Sequence, residues 1–283
     1  MKRTFLKVEE FADLYSGGTP STNNTSYWDG GIPWITPKDL AGYKARYILS
    51  GERDISEEGL RNSSAKLLPE ETVLLTTRAP IGYVAIAGAP LTTNQGFKNL
   101  VCKPNVAVPG FVYYLLKNST ELLESHATGA TFKELSSSRL KVIKFQLPDT
   151  TFQHHIADIL SAYDDLIENN HRRIQLHEES ARLLYKEWFV HLRFPGHEHV
   201  KIVDGMPTGW TKTTISDLCD SVNYGYTASA TTEPIGPKFL RITDIVPDVI
   251  KWSCVPFCSI PENKKEQFLL KEGDVAHLPQ FKI

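Results

Sequence analysis

Four polar loops in the first half of the chain mix hydroxyl, amide and basic side chains. They lie at 36–39 (Thr-Pro-Lys-Asp), 76–78 (Thr-Thr-Arg), 92–98 and 128–133. Lys and Arg bind phosphates and guanine, Asn and Gln bind adenine edges, and Thr binds a phosphate or contacts a thymine methyl. The same residue types also cap strands and turns. Composition alone therefore leaves a nucleic-acid contact and a structural role equally open.

Patterns typical of catalysis are missing or weak. The sequence has no phosphate-binding Gly-x-x-x-x-Gly-Lys loop, no Gly-x-Gly-x-x-Gly turn and no His-Glu-x-x-His pair. Pro247-Asp248 followed by Glu262-Asn263-Lys264 fits a loose metal-nuclease pattern, in which carboxylates hold the metal beside a lysine. The pairs Cys254/Cys258 and His197/His199 lack the spacing of a zinc site. We therefore predict no catalytic and no metal-binding residues, and keep a nuclease as the weaker alternative.

The overall composition is that of a globular chain with room for two domains. The 283 residues are 41% hydrophobic and 23% charged, and the formal net charge is −2. Four cysteines are too few for a disulfide scaffold, and no apolar run is long enough to span a membrane. These features predict a cytoplasmic protein. Because the net charge is slightly negative, binding to nucleic acid would need a local basic patch.

Residues 1–147 show mixed α/β patterning. β-Branched and apolar residues predict strands at 73–77 and 82–87, and period-two alternation predicts a third strand at 140–147. Apolar residues on one side predict a helix at 111–123. Glycine and proline predict turns at 17–20 and 30–33.

Residues 152–189 contain neither glycine nor proline and predict one helix of about 57 Å. Two sets of residues, each seven apart and offset by three or four, form a heptad seam. The seam comprises Ile156, Leu160, Tyr163, Ile167, Asn170, Ile174, His177, Ala181, Leu184 and Trp188. An ordinary core helix is the alternative. Asn170 and His177 favour a coiled coil, because a polar seam residue fixes register and partner number.

The pattern of the first part is repeated after this helix. Residues 11–14 are echoed at 215–218, residues 34–40 at 240–245, and residues 68–73 at 270–275. Three echoes in the same order indicate a repeated domain. The second copy stops before the equivalent of residues 76–147.

In combination, the motifs resemble those of the specificity subunits of type I restriction–modification enzymes. The segments at 17–21, 27–28 and 32–40 resemble the opening of the target-recognition domains of that family, and those at 75–82 and 93–97 resemble later parts of it. The segments at 156–161 and 186–190 are similar to the family's spacer helix. The resemblance extends over residues 5–275.

The resemblance implies a mixed α/β (α+β) target-recognition domain at 1–148 and a long coiled-coil spacer helix at 149–195. An incomplete second recognition domain would occupy 196–283. The implied role is non-catalytic reading of a two-part target in double-stranded DNA. Modification subunits would methylate adenine with S-adenosylmethionine, and a restriction subunit would cleave with ATP and Mg²⁺, so no cofactor is expected in this chain. The expected DNA contacts are Lys38, Thr77, Arg78, Asn94, Gln95, Lys98, Thr131 and Lys133.

A complete member of that family pairs its spacer helix with a second one, which the 283 residues do not contain. One hypothesis is that two chains pair their helices by two-fold symmetry and read an inverted repeat. The other is an inactive truncated remnant. A scaffold without DNA affinity would not explain a domain repeated around a helix.

Overall fold

The buried run at 73–77 forms the central strand of the first of two units. The computed structural model describes residues 3–78, 80–129, 133–245 and 250–276, and the units are Met1–Arg193 and Phe194–Ile283. The strands of the first unit are β1 (Arg3–Lys7), β2 (Ala12–Ser16), β3 (Trp28–Ile35), β4 (Tyr47–Ile48), β5 (Arg53–Ile55), β6 (Val73–Thr77), β7 (Ile81–Ala87), β8 (Thr92–Thr93), β9 (Phe97–Cys102) and β10 (Lys144–Pro148). Its helices are α1 (Val8–Phe11), α2 (Glu57–Arg61), α3 (Pro109–Lys117), α4 (Thr120–Ser125), α5 (Ser137–Val142) and α6 (Thr150–Tyr185).

The strands form three sheets. A five-stranded sheet has the order β2-β9-β6-β7-β4, antiparallel except where β4 runs parallel to β7. A three-stranded sheet has the order β5-β3-β8. The third is the antiparallel pair β1-β10, which brings the start of the unit beside the strand that precedes α6.

Strand β6 separates two apolar cores. Val73 and Leu75 face one core together with helices α1, α3 and α5, whereas Leu74 faces the other with Ile35 and Phe97. All five residues of β6 are buried, as expected for a strand covered on both faces. The predicted mixed α/β fold is confirmed, and the strands predicted at 73–77 and 82–87 are β6 and β7.

Two predictions from periodicity were wrong in detail. The helix predicted at 111–123 is two helices, α3 and α4, with a break at Asn118–Ser119. The strand predicted at 140–147 begins as helix α5, because the Ser136 hydroxyl accepts a hydrogen bond from the Arg139 backbone and caps a helical turn. Only Lys144–Pro148 is strand, since there the chain pairs with β1.

The long helix is confirmed. Helix α6 begins after Asp149, whose Oδ1 accepts a hydrogen bond of 3.0 Å from the Phe152 backbone N–H, and it ends in one π turn at Lys186–Val190. In the described part of the chain, no helix combines the length and apolar character needed to cross a membrane.

The second unit contains short elements and many exposed apolar side chains. Its strands β11 (Ile202–Val203) and β12 (Met206–Pro207) form a hairpin, and its helices are α7 (Ile215–Leu218), α8 (Ile242–Ile245) and α9 (Glu262–Phe268). Pro207, Val255 and Cys258 are its buried apolar residues within the described ranges.

Local geometry in the second unit repeats that of the first in two places. Asp39 Oδ2 accepts from the Thr36 backbone N–H at 2.7 Å, and Asp244 Oδ2 accepts from that of Arg241 at 2.9 Å. Farther along, Glu71 and Gly273 both take a positive φ, 67° and 94°. Both turns lie within the sequence echoes predicted at these positions.

The first echo has a different register from the one predicted. Glu10 accepts from the Lys7 backbone at the start of α1, and Asp217 accepts in the same way from Thr214 at the start of α7. Helix α7 therefore corresponds to α1, and in this alignment Leu218 is the equivalent of Phe11. Apolar spacing alone had matched Phe11 with Ile215.

Candidate nucleic-acid interface

The polar loops of the first unit converge around Gly96. The Gly96 carbonyl accepts hydrogen bonds from the Thr77 backbone (2.8 Å) and hydroxyl (3.3 Å), which ties the end of β6 to the loop before β9. The Asn94 Oδ1 atom accepts from the Gly96 backbone at 2.9 Å. A Cβ at Gly96 would lie 2.9 Å from the Pro37 ring, so the 36–39 turn packs against the same point. We call the exposed face of these segments the loop surface: 17–20, 36–39, 77–78, 94–98 and 133–134.

The glycine motif at 17–18 positions one side of the loop surface. Gly18 donates from its backbone to the Thr93 carbonyl at 2.8 Å, and its own carbonyl accepts from the Trp34 indole at 2.9 Å. A Cβ at Gly17 would overlap the carbonyl oxygen of Asn94, which explains why glycine stands there. The Thr19 hydroxyl donates to Gln95 Oε1.

Arg78 is the half-exposed cation at the end of β6. Its guanidinium donates to Glu134 at 2.6 Å, and a backbone bridge joins the same two residues. Leu135 donates to the Thr77 carbonyl at 3.0 Å, so the 133–135 segment runs beside the strand end. Lys133 is exposed on this segment. Thr131 lies outside the described residues.

Lys98 is buried beneath the loop surface, at 8% exposure. Its Nζ donates to the Ser16 hydroxyl at 3.2 Å. Burial lowers its pKa; the Glu134 carboxylate raises it again in part, and the Arg78 charge lowers it further. This cation has little hydration to compensate its charge, so it favours an anion arriving at the surface above it.

The remaining predicted contacts differ in exposure. Lys38 is exposed and donates to Glu52 at 2.7 Å; this hydrogen bond raises the lysine pKa. Gln95 is exposed, Asn94 is half-buried, and Thr77 is fully buried. The structure therefore brings the described members of the predicted set together, with Lys38, Arg78, Gln95 and Lys133 at the surface and Thr77 beneath it.

Sequence reasoning missed the two carboxylates that pair with cations of this surface. Glu52 and Glu134 hold Lys38 and Arg78 in ion pairs, although Glu134 lies 56 residues from Arg78 in the chain. No local spacing signals such a pair; only the fold brings the two segments side by side. The Gly96 contacts were missed for the same reason.

The seam of α6 is exposed over most of its length. Ile156 packs against the core of the first unit, but Tyr163, Ile167 and Ile174 are each more than half exposed. The other seam residues are half-buried in the case of Trp188 and exposed in the case of Leu160, Asn170, His177, Ala181 and Leu184.

The structure does not bring the residues of the weaker nuclease pattern together in a described site. Asp248 lies outside the described residues, and Glu262, Asn263 and Lys264 belong to the first turn of α9. Within the described ranges, no three His, Cys, Asp or Glu side chains lie close enough together to hold a metal ion.

An α/β scaffold that presents convergent polar loops, followed by a long helix with an exposed apolar seam, defines a binding module. The family described as type I restriction modification DNA specificity domain matches residues 3–178. The chain belongs to this family.

Its relatives are similar over part of their length. The MjaIX specificity subunit of Methanocaldococcus jannaschii is 44% identical over 218 residues, which are 75% of this chain and 50% of that protein. The EcoR124I/EcoR124II specificity subunit of Escherichia coli is 32% identical over 56% of this chain and 40% of its own length. The crystal structure of an S subunit from M. genitalium shares the fold, with a TM-score of 0.53, 20% identity, and coverage of 70% of this chain and 48% of that one. The chain thus spans about half the length of these relatives.

Proposed function

We propose that the first unit reads one half of a two-part DNA target through its loop surface. The observation that carries this proposal is that the segments bearing Lys38, Arg78, Gln95 and Lys133 come together beside Gly96. Cations that neutralise phosphates supply affinity, and amide and guanidinium groups beside them read base edges. The names of the relatives, all type I specificity subunits, support the same role.

In this proposal the chain directs chemistry that partner subunits perform. Modification subunits carry S-adenosylmethionine and methylate adenine, and a restriction subunit uses ATP and Mg²⁺ for cleavage. The chain itself contributes recognition, with residues 1–148 as the recognition domain and 149–195 as the spacer. Residues 196–283 act as a partial second recognition domain, a role supported by the repeated Asp39/Asp244 and Glu71/Gly273 turns.

The exposed seam supports pairing of two chains through α6. If a two-fold axis crosses the antiparallel helices at residue 172, every seam residue faces a seam residue of the other chain. Tyr163 then faces Ala181, Leu160 faces Leu184, and Ile156 faces Trp188. The first of these pairs sets a large side chain against a small one and the second joins two side chains of equal size, as close packing requires.

DNA binding by the chain, copurified with its modification subunit, tests the recognition role. Affinity for duplexes that contain the target should exceed that for scrambled duplexes at 150 mM salt, and both affinities should fall as salt rises. Equal affinity for target and scrambled duplexes would contradict sequence reading. A control chain with Lys38, Arg78 and Lys133 changed to alanine should lose the difference while it still copurifies.

A further inference from the structure

Two separate anchors attach α6 to the rest of the first unit. The nearer one is Gln153, which is fully buried: its Nε2 donates to the carbonyls of Val106 (3.0 Å) and Pro148 (2.9 Å), and its Oε1 accepts from Val108 at 2.9 Å. One turn later, Ala157 packs where α3 has Gly110, at which a Cβ would come within 3.3 Å. This anchor fixes where the helix leaves the domain.

The second anchor is a polar cluster about 17 Å farther along, counted from Gln153 to Asp164 at 1.5 Å per residue. The Tyr114 hydroxyl of α3 donates to Asp164 Oδ2 at 2.7 Å. Arg46 donates to Asp165 Oδ1 at 3.1 Å and to the Tyr114 oxygen at 3.4 Å. We call Arg46, Tyr114, Asp164 and Asp165 the clamp.

The clamp is rigid at its domain end. The Arg46 side chain is 14% exposed and its cation lies 5.1 Å from the Tyr47 ring centroid. The Arg46 carbonyl accepts from the Ile86 backbone at 2.9 Å, so the residue is held by the five-stranded sheet. Burial raises the pKa of Tyr114 to about 12; the Asp164 bond acts in the same direction and the Arg46 charge against it, so the hydroxyl stays a donor at any physiological pH.

Beyond the clamp, Glu168 lines a groove with Tyr43 and Tyr47, and the described residues from 169 to 186 are all exposed. The free part of the helix from Asp165 to Tyr185 is about 30 Å long. A change of 10° at the clamp would therefore move its far end by about 5 Å. That displacement exceeds the rise of one base pair, about 3.4 Å.

We propose that the clamp formed by Arg46, Tyr114, Asp164 and Asp165 sets the angle of the spacer helix against the recognition domain, and thereby the spacing between half-sites that the protein accepts. The inference rests on the proposed function. The anchor at Gln153 alone would let the helix pivot, whereas two anchors along the helix fix its direction relative to the domain. The clamp residues are positioning residues: the Tyr114–Asp164 and Arg46–Asp165 hydrogen bonds join the domain to the helix, and none of the four residues belongs to the loop surface.

The test compares Arg46→Glu, Asp165→Arg and the double variant that exchanges the two charges, all copurified with the modification subunit. Duplexes carry both half-sites with gaps that differ by single base pairs, and adenine methylation is measured on each. The wild type should prefer one gap at least tenfold, and each single variant should reduce that preference to about threefold or less. The double variant should restore it. Tyr114→Phe, a conservative change that removes the hydrogen bond to Asp164, should also reduce the preference for one gap length.

A second readout does not depend on DNA. Spin labels introduced at Glu58 and Arg182, both exposed in the first unit, report the distance between domain and helix end. The distribution should be narrow in the wild type, broad in each single variant and narrow again in the double variant. Asp158→Arg, at an exposed carboxylate on the same helix, is the matched control and should leave it narrow.

The outcomes separate the two proposals. Unchanged distance distributions in the single variants would overturn the clamp, whatever the DNA result. Broad distributions with an unchanged gap preference would overturn its link to spacing. Failure of the wild-type complex to methylate any two-part duplex would overturn the proposed function, while the distances would still judge the clamp.

Discussion

At the scale of single residues, the loop surface holds exposed cations in ion pairs that an incoming phosphate can replace. Arg78 pairs with Glu134 and Lys38 with Glu52, and all four side chains are substantially exposed. Such pairs contribute about 0.2–1 kcal/mol, so their exchange for phosphate contacts is easily offset. Both carboxylates also repel phosphate, so they lower the affinity for DNA.

Arg78→Ala should weaken DNA binding and Glu134→Gln should strengthen it. Removal of Arg78 takes away a contact worth about 1–3 kcal/mol if it reaches a base, or lowers the salt slope by about one if it reaches a phosphate. Glu134→Gln frees the guanidinium and removes a like charge. Fluorescence anisotropy at several salt concentrations measures both. Arg182→Ala, on the exposed helix, is the control; equal effects of Arg78→Ala and Arg182→Ala would remove Arg78 from the interface.

Lys98 gives a pH prediction. Its pKa in the folded chain is below its ordinary value near 10.5, because burial disfavours the charged form. Lys98 therefore loses its proton at a lower pH in the folded chain than in the unfolded chain. As a result, the free energy of unfolding rises as pH increases from the lowered pKa towards 10.5. Lys98→Met should raise the urea midpoint at pH 7, and this advantage should shrink as pH approaches 10.5. An advantage that stays constant over this range would show that the lysine is not strained by burial.

At this scale the sequence identified the polar loops but not the partners of their side chains. The loops at 76–78 and 92–98 were recognisable from their composition, and the structure joins them through Gly96. Burial of Thr77 could not be predicted, because hydroxyls serve equally in turns and at surfaces. The Arg78–Glu134 pair depends on chain segments that only the tertiary fold brings together.

At the scale of elements, α6 was predictable and the boundaries around it were not. A run of 36 helical residues follows from its heptads and from the lack of glycine and proline. The residues at 140–147 alternate like a strand, yet the Ser136 cap starts a helix there and only Lys144–Pro148 pairs with β1. Over this short segment, the helix cap had more influence on the structure than the period-two pattern.

Gln153 is the residue on which the base of α6 depends most. Gln153→Leu would remove the hydrogen bonds that its side chain makes to two carbonyls and one N–H, at about 1–3 kcal/mol for each group that water cannot reach. We expect a total loss of about 2–4 kcal/mol. Hydrogen exchange of the β6 and β9 amides would measure it, with exposed His154→Ala as the control. Equal protection in both variants would contradict the importance of this anchor.

Pairing through the seam predicts that Leu184→Asp weakens the dimer. Two-fold symmetry places the charge opposite Leu160 in two apolar layers, so we expect a dissociation constant at least about 100-fold higher. Sedimentation equilibrium measures it. Glu179→Lys, on the face away from the seam, is the matched control and should change little. An unchanged dimer in Leu184→Asp would mean that the chains pair elsewhere or not at all.

At the scale of the whole molecule, the two proposals together describe a recognition domain held at a set angle on a helix that sets the distance between half-sites. The turns at 36–39 and 241–244 have similar geometry, as do those at Glu71 and Gly273, which supports the proposed second recognition domain. Order and spacing of motifs predicted this repeat in the sequence. The register of its first element, α7, required the backbone, because apolar spacing alone matched Phe11 to the wrong residue.

Mapping of methylated adenines in cells that express this chain with the proposed modification subunit tests the central claim most directly. We predict methylation at a motif of two short half-sites separated by a gap of fixed length, and an inverted repeat if two chains pair through α6. The Arg78→Ala chain should reduce methylation at that motif. Copurification of the two subunits without any methylated motif would contradict the claim that this chain reads DNA sequence.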